Sequence, residues 1–366
     1  MKSYSVVIIG AGQSGLTMGV KLKSAGIDYL ILGKEQRLGD VWRQRYDSLQ
    51  LFTPRWLSRL PGHPADTRNP NGYADKDEIA DDLEAYATTH QLNVQLSTEV
   101  TALRRTDEGF LLDTNRGAFT TARVVIATGP FQNPSIPDFA TVLSPDVFQV
   151  HTAHYKNKEQ LRNGNVLIVG GGNSGAQIAV ELAKHHVVHL STTKTIAFVP
   201  QEILEKSIFW WFKKLGVYKA HIGTRIGQRL SQRGDPVIGK ALKACIDSGE
   251  VRMHSRAISA AGNRVLFEGG ESLKVYNVIW ATGFTSDYGW VQVPGVLDEQ
   301  GRPDHKRGVC KTAGTYFLGL PWQHNRGSAL IGGVAADAEY LLQQMLETGI
   351  DEQNVEQVDY IRYSPE

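Results

Sequence analysis

Two unbroken apolar runs dominate the pattern of the chain, and each ends in a glycine turn. Val6 to Ile9 is β-branched and does not alternate with polar residues, as expected of a central parallel strand covered on both faces. Gly10, Gly12 and Gly15 follow, and a helical stretch continues through Gly19 and Gly26. The first glycine suits a tight turn, the second lets backbone approach a pyrophosphate, and the third lets the helix pack close to the strand. A helix starting at Gln13 and Ser14 turns free N–H groups and its positive dipole end towards phosphate. The same grammar returns at Val166 to Val169, with Gly170, Gly172 and Gly175, Asn173 and Ser174 at the helix start, and Ala179 at the packing position. One such turn is a weak signal, but the repeat is specific. Two dinucleotide folds in one chain argue for two nucleotides, an electron donor and a bound acceptor.

The remaining pattern fills in around these units. Ile27 to Leu32 reads as a second parallel strand, at whose end an acid usually holds ribose hydroxyls. Gly33 stands there instead; Glu35 reaches the ribose only if the loop turns it back, and is otherwise solvated surface. Leu38 to Pro54 is aromatic and basic without a clear period, and reads either as a loop lining a cofactor or as a surface loop anchored by Trp42. Residues 55 to 74 read as loop, Asp75 to Gln91 as a helix with an acidic start, and Val94 to Val100 and Phe110 to Thr114 as strands bracketing a turn at Asp107 to Gly109. Thr120 to Pro130 is a buried strand stopped by Thr128 and Gly129, and Val275 to Phe284 is its counterpart, with Ala281, Thr282 and Gly283. The second strand of the second unit, Val187 to Leu190, leads into Ser191, Thr192, Thr193 and Lys194, with no acid for the ribose of NADH. Residues 201 to 248 interrupt that unit with an aromatic segment at Ile208 to Lys214 and a basic stretch, Gly223 to Lys243, with Arg225, Arg229 and Arg233. They read as a lid or substrate channel wall, as an interfacial helix touching membrane through its Trp residues, or as a helical insertion packed on the domain or on a second subunit. Tyr316 to Leu318 reads as the last strand, followed by a polar loop and a helix from Val334 to Glu347. His151, His154 and Tyr155 lie close together, but no Cys or acid completes a ligand set, so no metal is expected.

The first glycine turn, the Gly39-Asp40-Val41-Trp42 and Arg45-Tyr46-Asp47-Ser48-Leu49 loop and the duplicated turn together resemble the flavin-containing monooxygenase family, especially its short bacterial members. The resemblance runs over nearly the whole chain. It implies two Rossmann-like α/β domains, an FAD domain of residues 1–155 plus 285–366 and an inserted NAD(P)H domain of residues 156–284. FAD would lie against Gly10, Gly12, Gln13, Ser14, Gly15, Glu35, Val41, Trp42, Val100, Thr128, Gly129, Ser328, Ala329 and Leu330. NADPH or NADH would lie against Gly170, Gly172, Asn173, Ser174, Gly175, Thr192, Thr193, Lys194, Ala281, Thr282 and Gly283. The family's signature around His151, Thr152 and Tyr155 is matched in part, with Pro145 and Val147 replacing its Phe and Gly. Thr193 falls where NADPH-preferring members have Arg, while Lys194 offers a point charge, which implies relaxed coenzyme choice leaning to NADPH. Phe52 falls where several relatives place an Asn near flavin C4a, and Asn325 is the other near-flavin candidate. The implied reaction passes hydride to the flavin, adds O2 at C4a as a hydroperoxide, and oxygenates a thioether, amine or ketone without a side-chain nucleophile. Two other readings stay open: a flavin oxidoreductase passing electrons to a quinone or protein, and a nucleotide-sensing accessory protein for ion transport.

Composition changes little in this picture. The chain of 366 residues suits about two or three domains. A net charge of +1 and a pI near 7.8 argue against nucleic acid as the main partner. No apolar run approaches the roughly 18 residues of a membrane span, and the first strand begins almost at residue 1, so a cytoplasmic protein without signal peptide is expected. Cys245 and Cys310 are far apart and form no C-x-x-C, which disfavours disulfide reduction. A homodimer is left open.

Overall fold

In the computed structural model, which describes residues 2–63, 68–217 and 220–349, the chain forms two α/β units, each built on its own sheet. In the first sheet Lys2–Ile9 lies between Tyr29–Leu32 and Gly117–Ile126, parallel to both, and Val94–Gln95 extends it beyond Tyr29–Leu32. The first half of Gly117–Ile126 pairs antiparallel with Gly109–Thr114, while its last residues pair parallel with Thr315–Phe317. The unbroken apolar run of the first strand now has its cause. Val6 and Ile8 face a core shared with the helices, and Val7 and Ile9 face a second core on the opposite side, so neither face meets water.

The second sheet is wholly parallel, in the order Phe148–His151, Asn277–Trp280, Val166–Val169, Val188–Ser191, Val251–His254. Val166 and Ile168 pack against the helix Asn173–Ala183, and Leu167 and Val169 against a small antiparallel sheet that includes Arg264–Phe267. In sequence this unit lies between strands of the first. The chain crosses from one unit to the other and back at Asn133–Pro134 and Phe284–Thr285, and these two segments pair antiparallel as a short ribbon.

Several expectations shift. The strand before the Asp107 turn is Val100–Thr106 rather than Val94–Val100; Val94–Gln95 pairs separately, because Ser97 takes a left-handed φ of 51° that breaks the run. The helix expected from Asp75 spans Lys76–Thr89, since Asp75 is its cap and accepts from the backbone of Asp77 and Glu78. The expected boundary at residue 155 falls after Phe148–His151, which belongs to the second sheet. The 201–248 insertion is not simply helical. It holds the hairpin Glu202–Ile203 and Lys206–Ser207, the helices Ile208–Lys214 and Arg225–Gln232, and Val237–Ile238, which pairs with Phe198–Val199 just before the insertion. The helix Ala241–Asp247 belongs to the nucleotide fold, where Leu242 is buried in the same core as Ile178 and Leu182. The C-terminal helix spans Val334–Glu347 as expected.

Candidate functional site

The two glycine turns have the same backbone. Gly10 and Gly170 both take φ of 114°, and a Cβ on either would lie 2.5 or 2.2 Å from the carbonyl oxygen of Ala127 or Ala281. Gly10 N–H donates to Leu32 at 2.8 Å and Gly170 N–H to Ser191 at 2.9 Å; Ala127 N–H donates to Ile9 and Ala281 N–H to Val169, both at 2.8 Å. A Cβ on Gly15 or Gly175 would sit 1.9 or 2.1 Å from the carbonyl of the first glycine, so these two positions admit no side chain. Gly12 and Gly172 differ from them, because a Cβ on either meets nothing within 4 Å. Each caps a helix in extended conformation, at Gln13–Ser24 and Asn173–Ala183, with no side-chain cap, which leaves backbone N–H groups facing open space. That cradle fits a pyrophosphate at both turns.

Around the first turn, the loop at the second strand's end folds back. Thr98 N–H donates to Gly33 and Ser97 N–H to Glu35, at 2.8 and 2.9 Å. The Glu35 carboxyl carbon then lies 3.1 Å from where a Cβ on residue 33 would be, so Gly33 makes room for the Glu35 side chain. Burial raises the Glu35 carboxyl above its ordinary value. Thr128 and Gly129 follow Gly117–Ile126 after Ala127, and Gly129 takes a φ of 70° with open space at its Cβ. Ser14 is buried against Gly319, where any Cβ would meet its hydroxyl at 2.1 Å; this brings the 319–333 loop to the turn. In that loop Ser328 accepts from the backbone of His324 and Asn325, and Asn325 accepts from Gly327, so both side-chain oxygens help to shape the loop, while Ala329 and Leu330 stay partly exposed before the last helix. Val41 is 55% exposed on the helical turn Asp40–Arg43, and Trp42 packs against the cores of both units. Val100 packs against the core of Val7 and Ile9.

Around the second turn, Asn173 is used by the insertion: its amide donates to Pro236 and accepts from Ile238, at 3.1 and 3.0 Å. Thr192 donates to the Lys194 carbonyl, and Thr193 and Lys194 are exposed beside the turn. Thr282 donates to the Ser135 carbonyl, and His151 joins the same return. The His151 ring accepts from Ala153 N–H at Nδ1, which leaves Nε2 to donate to the Gly283 carbonyl at 2.9 Å. Burial lowers its pKa, keeping it in this neutral tautomer.

The sequence did not disclose the seam between the units. Tyr46 and Leu49 are buried in the second unit's core, and the Tyr46 hydroxyl donates to Gln177 at 2.7 Å, with Ser174 also in reach. Burial pushes that phenol up to about 12. Tyr155 donates to Glu181 at 2.9 Å. Arg45 lies over Phe131 and Phe284, 5.5 and 5.1 Å from their ring centres, on the crossing ribbon. The insertion completes the seam from the other side. Phe209 stacks on Phe52 at 6.0 Å, His221 stacks on His324 at 5.3 Å, Asp235 pairs with Arg326 at 3.0 Å, and Tyr73 donates to Glu202 at 2.9 Å. Both near-flavin candidates are therefore next to the insertion, Phe52 by its ring and Asn325 through a backbone bridge to His221.

A pair of dinucleotide folds joined by a two-stranded crossing defines an oxidoreductase that carries electrons between two bound nucleotides. The chain belongs to the pyridine nucleotide-disulphide oxidoreductase family, whose profile matches residues 7–208, and within it to the flavin monooxygenase relatives. It is 55% identical to an oxidoreductase CzcO-like of Geobacillus kaustophilus over 93% of this chain and 98% of that one. It is 45% identical to the oxidoreductase CzcO of Bacillus subtilis, over 93% and 99%. A flavin-containing monooxygenase from Stenotrophomonas maltophilia matches with a TM-score of 0.79 at 25% identity, over 95% of this chain and 99% of that one. The protein is thus a flavin-dependent NAD(P)H oxidoreductase. Among the described residues, no group of His, Cys, Asp and Glu is placed to hold a metal ion, and no helix is long and apolar enough to cross a membrane.

Proposed function

We propose that the protein is an FAD-dependent monooxygenase that uses NAD(P)H and O2 to oxygenate small soft nucleophiles such as thioethers and amines, or ketones. The observation that carries this reading is the pair of open cradles at Gly12 and Gly172, set in one chain whose two free cysteines lie in the cores of different units. Cys310 is buried in the first unit's core with its thiol pushed up to about 12, and Cys245 lies on the helix Ala241–Asp247. No dithiol is placed to accept electrons from a flavin. FAD would sit on the unit of Gly12, held by the helix N-terminus, Glu35 and the 319–333 loop, and the nicotinamide coenzyme on the unit of Gly172. Bound FAD supplies two-electron transfer and activation of O2. In the balanced reaction NAD(P)H, a proton, O2 and thioether give NAD(P)+, water and sulfoxide. The protein's own work is to position two rings and to exclude water. The stacked pairs Phe52 with Phe209 and His221 with His324 close the insertion over the first unit, and we assign them the second task.

The test is a coupled turnover. The purified protein is expected to show a flavin spectrum that NADPH bleaches without air, and a small aryl methyl thioether then to yield sulfoxide in proportion to NADPH consumed once air is admitted. Recovery of all electrons as hydrogen peroxide, or faster turnover with a quinone than with O2, would move the assignment to a flavin oxidoreductase. Unbleached flavin would point instead to nucleotide sensing.

Coenzyme choice is expected to turn on the exposed pair Thr193 and Lys194. Thr193→Arg would add a planar fork beside the ribose, and a charge-assisted contact of about 1.5–3 kcal/mol corresponds to about 10–100-fold in favour of NADPH over NADH. The ratio of kcat/KM for the two coenzymes measures it; an unchanged ratio would remove these residues from the ribose site.

A further inference from the structure

The tip of the insertion's hairpin carries the wrong residues for its backbone. Glu202–Ile203 and Lys206–Ser207 are closed by Leu204 and Glu205 alone, and both take left-handed φ, 50° and 58°. A two-residue turn of this hand favours Asn and Gly, and a bulky side chain there is strained. Leu204 gains no packing in return, because it is 80% exposed. Its neighbour Ile203 is exposed as well, and the Trp211 indole N–H donates to the Ile203 carbonyl at 3.0 Å, bracing the arm on the helix Ile208–Lys214. That helix ends in Lys213, Lys214 and the exposed Leu215. The following helix shows Ile226 at 65% exposure between exposed Arg225 and Arg229. Among the described residues of 201–240, seven are Lys or Arg and three Asp or Glu, although the whole chain carries a net charge of only +1. Of those acids, Glu202 accepts from Tyr73 and Asp235 pairs with Arg326.

Strain held in order to present an apolar side chain to solvent is explained when the side chain has a destination. A cationic excess on the same insertion selects an anionic one, and opposes a second copy of the same segment by like-charge repulsion. We propose that the 201–240 insertion docks the protein on anionic bilayer surfaces, with Ile203 and Leu204 entering the acyl boundary and the Lys and Arg of the insertion meeting headgroup phosphates. The enzyme would then work where apolar thioethers, amines or ketones partition. The docking itself does not depend on the identity of the substrate.

The flavin-loaded full chain is expected to co-sediment with vesicles enriched in phosphatidylglycerol, not with pure phosphatidylcholine, and to be released at about 1 M salt, where screening acts within about 3 Å. Leu204→Asn is expected to weaken that binding about tenfold. Its Tm should stay or rise, since Asn accepts the left-handed turn, and its rate of NAD(P)H oxidation in solution should not change. Arg229→Glu, on the helix Arg225–Gln232, should weaken binding to the anionic vesicles as well. Failure to sediment with anionic vesicles, equal binding to both vesicle types, or wild-type binding by Leu204→Asn would overturn the proposal. A Leu204-dependent dimer on sizing, without vesicle binding, would assign the surface to a second copy and overturn it too.

Discussion

Gly12→Ala is expected to fold and to purify without flavin. The added methyl meets no protein atom within 4 Å, so the fold has no reason to change, yet it stands where backbone N–H groups at the start of Gln13–Ser24 face outward. Two displaced charge-assisted hydrogen bonds at about 1.5 kcal/mol each amount to about a 100-fold loss of FAD affinity. The flavin-to-protein absorbance ratio measures the loss, and the thermal midpoint of the apoprotein, compared with apo wild type, shows whether the fold is intact. Gly172→Ala is expected to keep its flavin and to lose rapid bleaching by NADPH, because its methyl enters the other cradle. Gly15→Ala belongs to a different class: its Cβ would lie 1.9 Å from the Gly10 carbonyl, so the first unit itself should fail to form. Full flavin occupancy in Gly12→Ala would show that the first turn holds something else.

These turns were legible in the sequence because only glycine satisfies them: the φ of 114° at Gly10 and Gly170 and the contact at Gly15 and Gly175 are backbone constraints that leave a fixed spacing. The parallel strands were legible for a related reason, since burial on both faces permits little but Val, Ile and Leu. The seam was not. Tyr46 meets Gln177 and Phe52 meets Phe209 across well over a hundred residues of chain, and a polar or aromatic residue in a loop carries no mark of its distant partner. The hairpin at Leu204 was missed because the signal sought for such turns, Asn or Gly, is absent there. Phe148–His151, ahead of the boundary expected at residue 155, enters the second sheet without a change in composition, and only its pairing with Asn277–Trp280 reveals this. The aromatic loop at Leu38 to Pro54 left open both a cofactor wall and a surface anchor. The structure adds that it contributes to the seam, with Tyr46 and Leu49 buried in the second core.

Glu35→Gln is expected to give an apoprotein more stable than wild type that nevertheless binds FAD about 10–100-fold more weakly. Burial raises the Glu35 carboxyl above its ordinary 4.5, with Lys34 only partly opposing the shift and Asp40 adding to it. The sign follows from linkage. Below the unfolded-state value the group is protonated in both states and contributes nothing; as pH rises through the raised folded value the folded apoprotein must bear a desolvated carboxylate, so stability falls and stays lower above it. Gln, neutral at all these pH values, removes that penalty, so the gain over wild type should be present at neutral pH and vanish in acid. Ribose hydroxyls donating to the carboxylate would reverse the balance for the holoprotein, because each charge-assisted bond contributes about 1.5–3 kcal/mol. Wild-type FAD affinity should accordingly rise with pH through the raised Glu35 value, while that of Glu35→Gln stays flat. Thermal melts of the apoproteins and flavin titrations across the same pH range separate the two effects. A variant that binds FAD as tightly as wild type, with the stability gain intact, would leave Glu35 a partly buried acid without a ribose contact and pass the ribose to another group beside Gly33.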